Sequence, residues 1–373
     1  MPPAYRDVGD EHIVIVAYIV ITAYIEGMPS NLAAQLGGKS TGARRARVEA
    51  SPQFADGKFR NPVPTASSVS LTALPRIAVA AFTGTEARRP HQDIPLVSAA
   101  PADAEGLHVT WYGHSTALIE IEGRRVLLDP VWSDRCSPSQ LAGPRRLHRP
   151  PVPLHELPAV DAVVISHDHY DHLDMATVQH LAAHHPATFV VPLGVGAHLE
   201  RWGVPEDRIA ELDWHESTRV AGLDLIATPA RHFSGRGFSR DETLWASWVI
   251  KGPARRVFYS GDTGYFPGFA AIGAEHGPFD VTLVQVGAYG ADWPDIHMVP
   301  EDGVATHLDV HGGLLIPVHW ATFDLATHRW AEPADRTWRE AKARDVRLAI
   351  PRPGQRVDVD GPPEIDAWWQ QVA

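Results

Sequence analysis

A chain of 373 residues has room for one large α/β domain or two ordinary ones, and 44% hydrophobic with 21% charged residues describes a globular protein with a real core. The formal net charge of −12 opposes non-specific binding to polyanions and so argues against a nucleic-acid partner. A single cysteine, Cys136, excludes intramolecular disulfides and a cysteine-based zinc site, whereas 21 histidines leave imidazole–carboxylate metal chemistry open.

The first element is an apolar run, IVIVAYIVITAYI at 13–25. It falls short of the roughly 20 residues a membrane helix needs. Asp7, Asp10 and Glu11 upstream are unlike the basic start of a secretory leader. The run reads as a buried strand or a loosely packed extension, with a membrane-surface anchor and a cleaved leader as alternatives. Residues 28–60, rich in Gly, Ala, Ser and Arg, read as a linker.

From residue 108 onward short strands alternate with turns. HVTWYGHSTALIEIEGRRVLLDP (108–130) predicts two or three strands with a tight turn at Glu122-Gly123. AVDAVVIS (159–166) predicts a buried strand, and DMATVQHLAAHH (174–185) a helix capped by Asp174. TFVVPL, LDLIATPA, RRVFYSGD, FDVTLVQVG and GGLLIPVHW repeat one arrangement, a strand whose end turns polar or meets a glycine. In open α/β sheets functional groups gather beyond strand ends. The candidate ligands fall there: after 165, at 232, at 262 and at 319.

ISHDHYDHLD (165–174) crowds His167, His169, Asp171 and His172 into six positions at the end of an apolar run. In extended backbone, residues two apart share a side, roughly 6.6 Å from each other. His167 and His169 can therefore grip one ion, and Asp171 and His172, past them on a turning chain, a second. A helical zinc motif with histidines four apart fits neither HELPA (155–159) nor HESTR (215–219), both of which lack the second histidine. A serine nucleophile at GHSTA (113–117) is rejected, because a strand-like stretch follows where the nucleophile elbow needs a helix. His114 and Ser115 are instead expected to line the cleft from below. His307 and His311, four apart on a predicted helix, read as solvated, and Cys136 as an ordinary loop residue.

HDHYDH resembles the H-x-H-x-D-H signature of the metallo-β-lactamase superfamily. TPARHFSGRG with His232, YSGDTGY with Asp262 and IPVHWATF with His319 follow in the family's order. SPQFADGKFRNP (51–62), DPVWSDRCSPSQLAGPRR (129–146) and DIHMVPEDGV (295–304) extend the likeness to one branch, the N-acyl-phosphatidylethanolamine-hydrolysing phospholipase D-like proteins. The resemblance covers about residues 51–350. It implies an α/β fold, a four-layer αβ/βα sandwich of two mixed β-sheets flanked by helices. The corresponding division is an N-terminal apolar segment and linker over 1–50 and a single hydrolase domain over 51–373.

The resemblance further implies that His167, His169 and His232 hold one ion, that Asp171, His172 and His319 hold a second, and that Asp262 bridges them. Two divalent ions ~3.5–4 Å apart need an anionic bridge, and a water caught between them loses a proton near neutral pH to give a nucleophile. Asp129 in LLDP matches the family aspartate that accepts the free N–H of a ligating imidazole. His297 matches an additional active-site histidine that orients a phosphate oxygen or protonates a leaving group. Zn²⁺ is the expected cofactor, in two copies, with Mn²⁺ or Fe as alternatives for such donors.

A phosphodiesterase of phospholipase D type follows as the expected activity. Arg135, Arg145, Arg146 and Arg149 read as a landing patch for an anionic headgroup; many of the 12 tryptophans read as core, and some are expected exposed near the cleft, to meet an acyl chain or a membrane interface. The expected location is cytoplasmic, with peripheral membrane contact open. A lactonase of the ascorbate-phosphate type, an RNA-processing nuclease and a non-catalytic metal-binding protein are the competing readings. The net charge weighs against the nuclease, and the complete donor set against the last.

Overall fold

Side chains that alternate in direction along the strands build two sheets that share one core. In the computed structural model, residues 32–66, 86–98, 103–237 and 239–373 are described; the apolar run at 13–25 lies outside them. A two-stranded hairpin, β1 (Phe54–Ala55) and β2 (Lys58–Phe59), precedes the main body. The first sheet takes β3 (Leu107–Gly113), β4 (Thr116–Ile121), β5 (Arg124–Leu128), β6 (Ala162–Val164), β7 (Thr188–Pro192) and β8 (Ile209–Leu212). The second takes β9 (Ser217–Val220), β10 (Leu223–Thr228), β11 (Ser247–Lys251), β12 (Arg256–Tyr259), β13 (Phe279–Gln285) and β14 (Gly312–Val318). The chain then returns to the first sheet with β15 (Arg356–Asp358), giving the orders β15-β3-β4-β5-β6-β7-β8 and β14-β13-β12-β11-β10-β9.

Alternate residues of one strand serve different layers. Val126 and Leu128 of β5 join the core between the sheets, together with Val257 and Tyr259 of β12 and Leu314 and Ile316 of β14. Leu127 faces the other way, onto Val178 and Leu181 of helix Met175–His184. On the far side, Phe258 and Leu315 meet Phe269 of helix Gly268–His276 and Val304 of helix Pro300–Asp309. Strands covered on both faces read as near-continuous apolar runs, which is why AVDAVVIS and FDVTLVQVG show no alternation. The result is the expected four-layer αβ/βα sandwich of two mixed sheets.

Strand direction decides where function gathers. β5, β6, β7 and β8 are parallel, and β3 runs with them because β4 is antiparallel to both β3 and β5. In the second sheet β12, β13 and β14 are parallel, and β10 shares their direction through the antiparallel β11. Each candidate residue follows the C-terminal end of one of these strands: His114 after β3, Asp129 after β5, 167–172 after β6, His232 after β10, Asp262 after β12, His297 after β13 and His319 after β14.

The described part of the expected linker is structured. GARRARVEA forms a helix over Gly42–Ala50, since Ala, Arg and Glu are strong helix formers even in a stretch whose overall composition suggests a linker. Arg44 fixes it to the body through Glu211 at 2.5 Å and Glu200 at 2.6 Å. The tryptophans correct a second expectation. Nine of the 12 are buried, and Trp111, Trp320, Trp330, Trp368 and Trp369 pack ring against ring; Trp132, Trp293 and Trp338 are half-buried and none is exposed. They are core first, as their large apolar area dictates.

Candidate metal centre

Three histidines have a partner that takes the proton of Nδ1, and each turns its Nε2 into the cluster. Nδ1 of His172 donates to the Asp129 carboxylate at 2.6 Å. His232 Nδ1 donates to the Ile296 carbonyl at 3.0 Å, since a carbonyl only accepts. His167 Nδ1 lies 2.9 Å from Ser166 Oγ, whose own proton goes to Asp129 at 2.5 Å, so here too the ring donates. With Nδ1 protonated, each neutral ring leaves a lone pair on Nε2; burial opposes charge on His172, but Asp262, Asp171 and Asp129 outweigh it and push its imidazole well above the usual range. Nε2 of His167 lies 2.8 Å from Nδ1 of His169, and that of His232 lies 3.3 Å from the same atom.

The second group assembles around two carboxylates. Oδ2 of Asp262 lies 2.9 Å from Nε2 of His319, 3.1 Å from Nε2 of His172, 3.3 Å from Nε2 of His297 and 3.9 Å from Nε2 of His232. Asp171 Oδ2 lies 3.4 Å from Nε2 of His319 and 3.5 Å from Nε2 of His172. All seven residues expected as ligands thus meet at one edge of the sandwich, with His297 beside them. Both expected triads, His167/His169/His232 and Asp171/His172/His319, have their donor atoms within 4.8 Å of one another, and Asp262 is shared between neighbouring groups.

Burial makes this crowding costly in the protein alone. Nε2 of His172, Nε2 of His319 and Oδ1 of Asp262 are buried and make no hydrogen bond. Converging lone pairs and unpaired buried donor sites are the arrangement a cation resolves, so the residues present fit a divalent metal. Burial would raise the Asp262 carboxyl, but His172 and His319 outweigh it and hold it well below the usual carboxylate range. Burial likewise disfavours charge on His319, yet Asp262 and Asp171 push its imidazole up to about 8. Burial, with the neighbouring imidazoles, keeps His167 and His232 well below 6.5. His169, Asp171 and His297 are half-buried, so solvent reaches the cluster from their side.

The supporting residues come from distant segments. Asp129, fully buried, also accepts from the amide of Ser166 at 2.7 Å and from the hydroxyl of Tyr259. Gly261 sits at φ +57°, and a Cβ there would lie 2.7 Å from that of Ser166 and 2.9 Å from the Ala246 carbonyl, so only glycine lets the Asp262 turn approach β6. Asn61, just past the β1–β2 hairpin, accepts from the His232 amide at 2.9 Å and donates to its carbonyl at 2.7 Å. The amide of Met298 donates to Gln285 Oε1 at 3.0 Å, anchoring the loop that carries His297. Ser166, Tyr259, Asn61 and Gln285 were not singled out from the sequence; each lies within a quoted stretch, but nothing in spacing links partners 13 to 171 positions apart.

Two further expectations change. His307 is buried rather than solvated, with Nδ1 2.7 Å from Thr282 Oγ1 of β13. Its helix lies flat on the second sheet, which turns one of two histidines four apart inward. Two of the four arginines in the 135–149 loop are engaged by backbone carbonyls: Arg135 donates to those of Gln140 and Gly143 within the loop, and Arg146, stacked over Phe323, to those of Ser133 and Val131 just before it. Arg145 lies 3.9 Å from Asp134. Among the described residues no helix is long and apolar enough to cross a membrane.

Fold and donor set together define a metal-dependent hydrolase, and the comparisons agree. Residues 124–320 match the Beta-lactamase superfamily domain, and the chain belongs to that family. It is 53% identical over 352 residues to an uncharacterised protein of Mycobacterium tuberculosis, covering 93% of each chain. To the N-acyl-phosphatidylethanolamine-hydrolyzing phospholipase D 1 of Caenorhabditis elegans it is 37% identical over 244 residues, 62% of this chain and 68% of that protein. A metallo hydrolase of Ignicoccus hospitalis shares the fold, with a TM-score of 0.51 at 21% identity over 67% of this chain and 97% of the other.

Proposed function

We propose that the cluster holds two divalent cations and that the protein is a phosphodiesterase of phospholipase D type, acting on N-acylated phosphatidylethanolamine-like lipids. The observation that carries the dimetal reading is Asp262 Oδ2, which stands within 2.9–3.9 Å of Nε2 of His319, His172, His297 and His232. His167, His169 and His232 would hold one ion and Asp171, His172 and His319 the other, with Asp262 between them. Zinc suits these donors, as do manganese and iron. Bound there, such cations supply Lewis acidity toward a phosphoryl oxygen and lower the pKa of water near neutral pH.

The chain's own groups do the rest. Asp129 keeps the proton of His172 on Nδ1, so that Nε2 stays available. Asp262 sets a negative charge where cationic charge gathers. His297, half-buried at the solvent side, can deliver a proton from Nε2 to the departing alkoxide oxygen. The lipid preference is supported by the likeness to the C. elegans enzyme. Contact with a bilayer surface would follow from such a substrate, and Leu141, 68% exposed in the arginine-containing loop, is suited to it.

A substrate comparison on purified, zinc-loaded protein tests this reading. N-acylated phosphatidylethanolamine should be cleaved to phosphatidic acid, and a nitrophenyl phosphodiester more slowly. Hydrolysis of water-soluble lactones with neither phosphodiester touched would replace the reading with a lactonase.

A further inference from the structure

His114 occupies a backbone conformation that is uncommon for a residue with a side chain. Its φ is +51°, in the left-handed region that residues with a Cβ rarely occupy. Three hydrogen bonds hold it there. Its amide donates to Thr322 Oγ1 at 2.6 Å, and its carbonyl accepts from the Trp111 indole at 2.7 Å and from the His319 amide at 2.8 Å. The turn thereby places the ring against the cluster. Nε2 lies 2.9 Å from Oδ2 of Asp171, and the ring centroid is 4.0 Å from that of His319. His114 is 1% exposed, so this geometry is not a surface accident.

We infer that His114 is a positioning residue for the second metal: it donates Nε2–H to Asp171 Oδ2 and fixes how that carboxylate faces the cluster. The proton assignment follows from chemistry, because an ionised carboxylate only accepts, so Nε2 must carry the hydrogen. Nδ1 is then a bare acceptor, consistent with its lying buried without a hydrogen bond. Asp171 is the half-buried donor of its group, whereas His172 and His319 are buried and locked into the fold. A carboxylate at a loop position needs an external partner to choose one orientation, and His114 is that partner at the shortest distance. The same residue holds the backbone of His319 through its carbonyl, so two of the three donors of one group are set from one turn. This rests on the reading of Asp171 as a ligand of the second ion.

The test is a titration of metal-free full-length protein with Co²⁺, following visible absorption and equilibrium dialysis, for wild type, His114→Phe and His114→Gln. Wild type should take up two ions. His114→Phe keeps the ring but removes the donor, and should bind the second ion roughly 10–100-fold more weakly while the first is unchanged. His114→Gln carries its amide nitrogen near the former Nε2 and should recover most of that loss. If the phenylalanine variant does not fold, His114→Asn, whose amide is too short to reach Asp171, is expected to show the same selective loss. Unchanged binding of both ions, equal weakening of both, or no recovery by glutamine would overturn the inference. Uptake of fewer than two ions by wild type would instead overturn the dimetal reading beneath it.

Discussion

Asp129 and His172, forty-three positions apart, form a buried charge-assisted pair with Nδ1 2.6 Å from Oδ2. Ser166 and Tyr259 complete the hydrogen bonding of the same carboxylate, so its orientation is set from two segments, 166–172 and β12. Replacing Asp129 by Ala should leave His172 free to rotate or to change tautomer. The expected result is a loss of roughly 10–100-fold in metal affinity or turnover. Metal content after dialysis and kcat/KM check it, and an Asp129→Ala protein with normal values of both would show that His172 needs no such support.

His297 stands apart from the buried donors because it is half-buried and its loop is anchored independently, through Met298 to Gln285. His297→Ala should therefore retain its full metal complement yet lose roughly 10²–10⁴-fold in kcat, the usual contribution of a positioned proton donor. Elemental analysis beside steady-state kinetics separates the outcomes. Loss of metal would make His297 a ligand instead.

His307 supplies a pH dependence remote from the cluster. Burial pushes its imidazole down to about 4, against 6.5 in an unfolded chain. Between these values the unfolded state binds more protons, so His307 contributes stability that is full above pH 6.5 and is lost as pH falls toward 4. At pH 5 the loss should be about 2 kcal/mol. Denaturant unfolding at pH 7 and pH 5 should show a smaller difference for His307→Gln than for wild type. An equal difference would mean that the neutral state of His307 is not what burial enforces.

Much of the fold was legible because buried strands announce themselves as short apolar runs and the donors follow them. The turn at Glu122-Gly123 joins β4 to β5 as expected, with both residues at positive φ, and Asp174 caps its helix through the Ala176 amide. The convergence of the HDHYDH side chains was legible because four ligand-type residues in six positions point to one cluster. Burial of individual side chains was not. Whether His307 faces solvent depends on how its helix lies on the second sheet, and whether Arg146 can meet a headgroup depends on whether the chain folds it back onto the carbonyls of Val131 and Ser133. Ser166, Tyr259 and Asn61 escaped because their partners meet them only across the assembled sandwich.

The central claim is that paired cations occupy the cluster around Asp262. Elemental analysis combined with anomalous diffraction on fully active protein tests it most directly. About two ions per chain, flanking Asp262, are predicted, and Asp262→Asn should lose both metal and turnover while its fold persists. Active protein whose cluster is vacant, or an Asp262→Asn variant with normal turnover, would contradict the account.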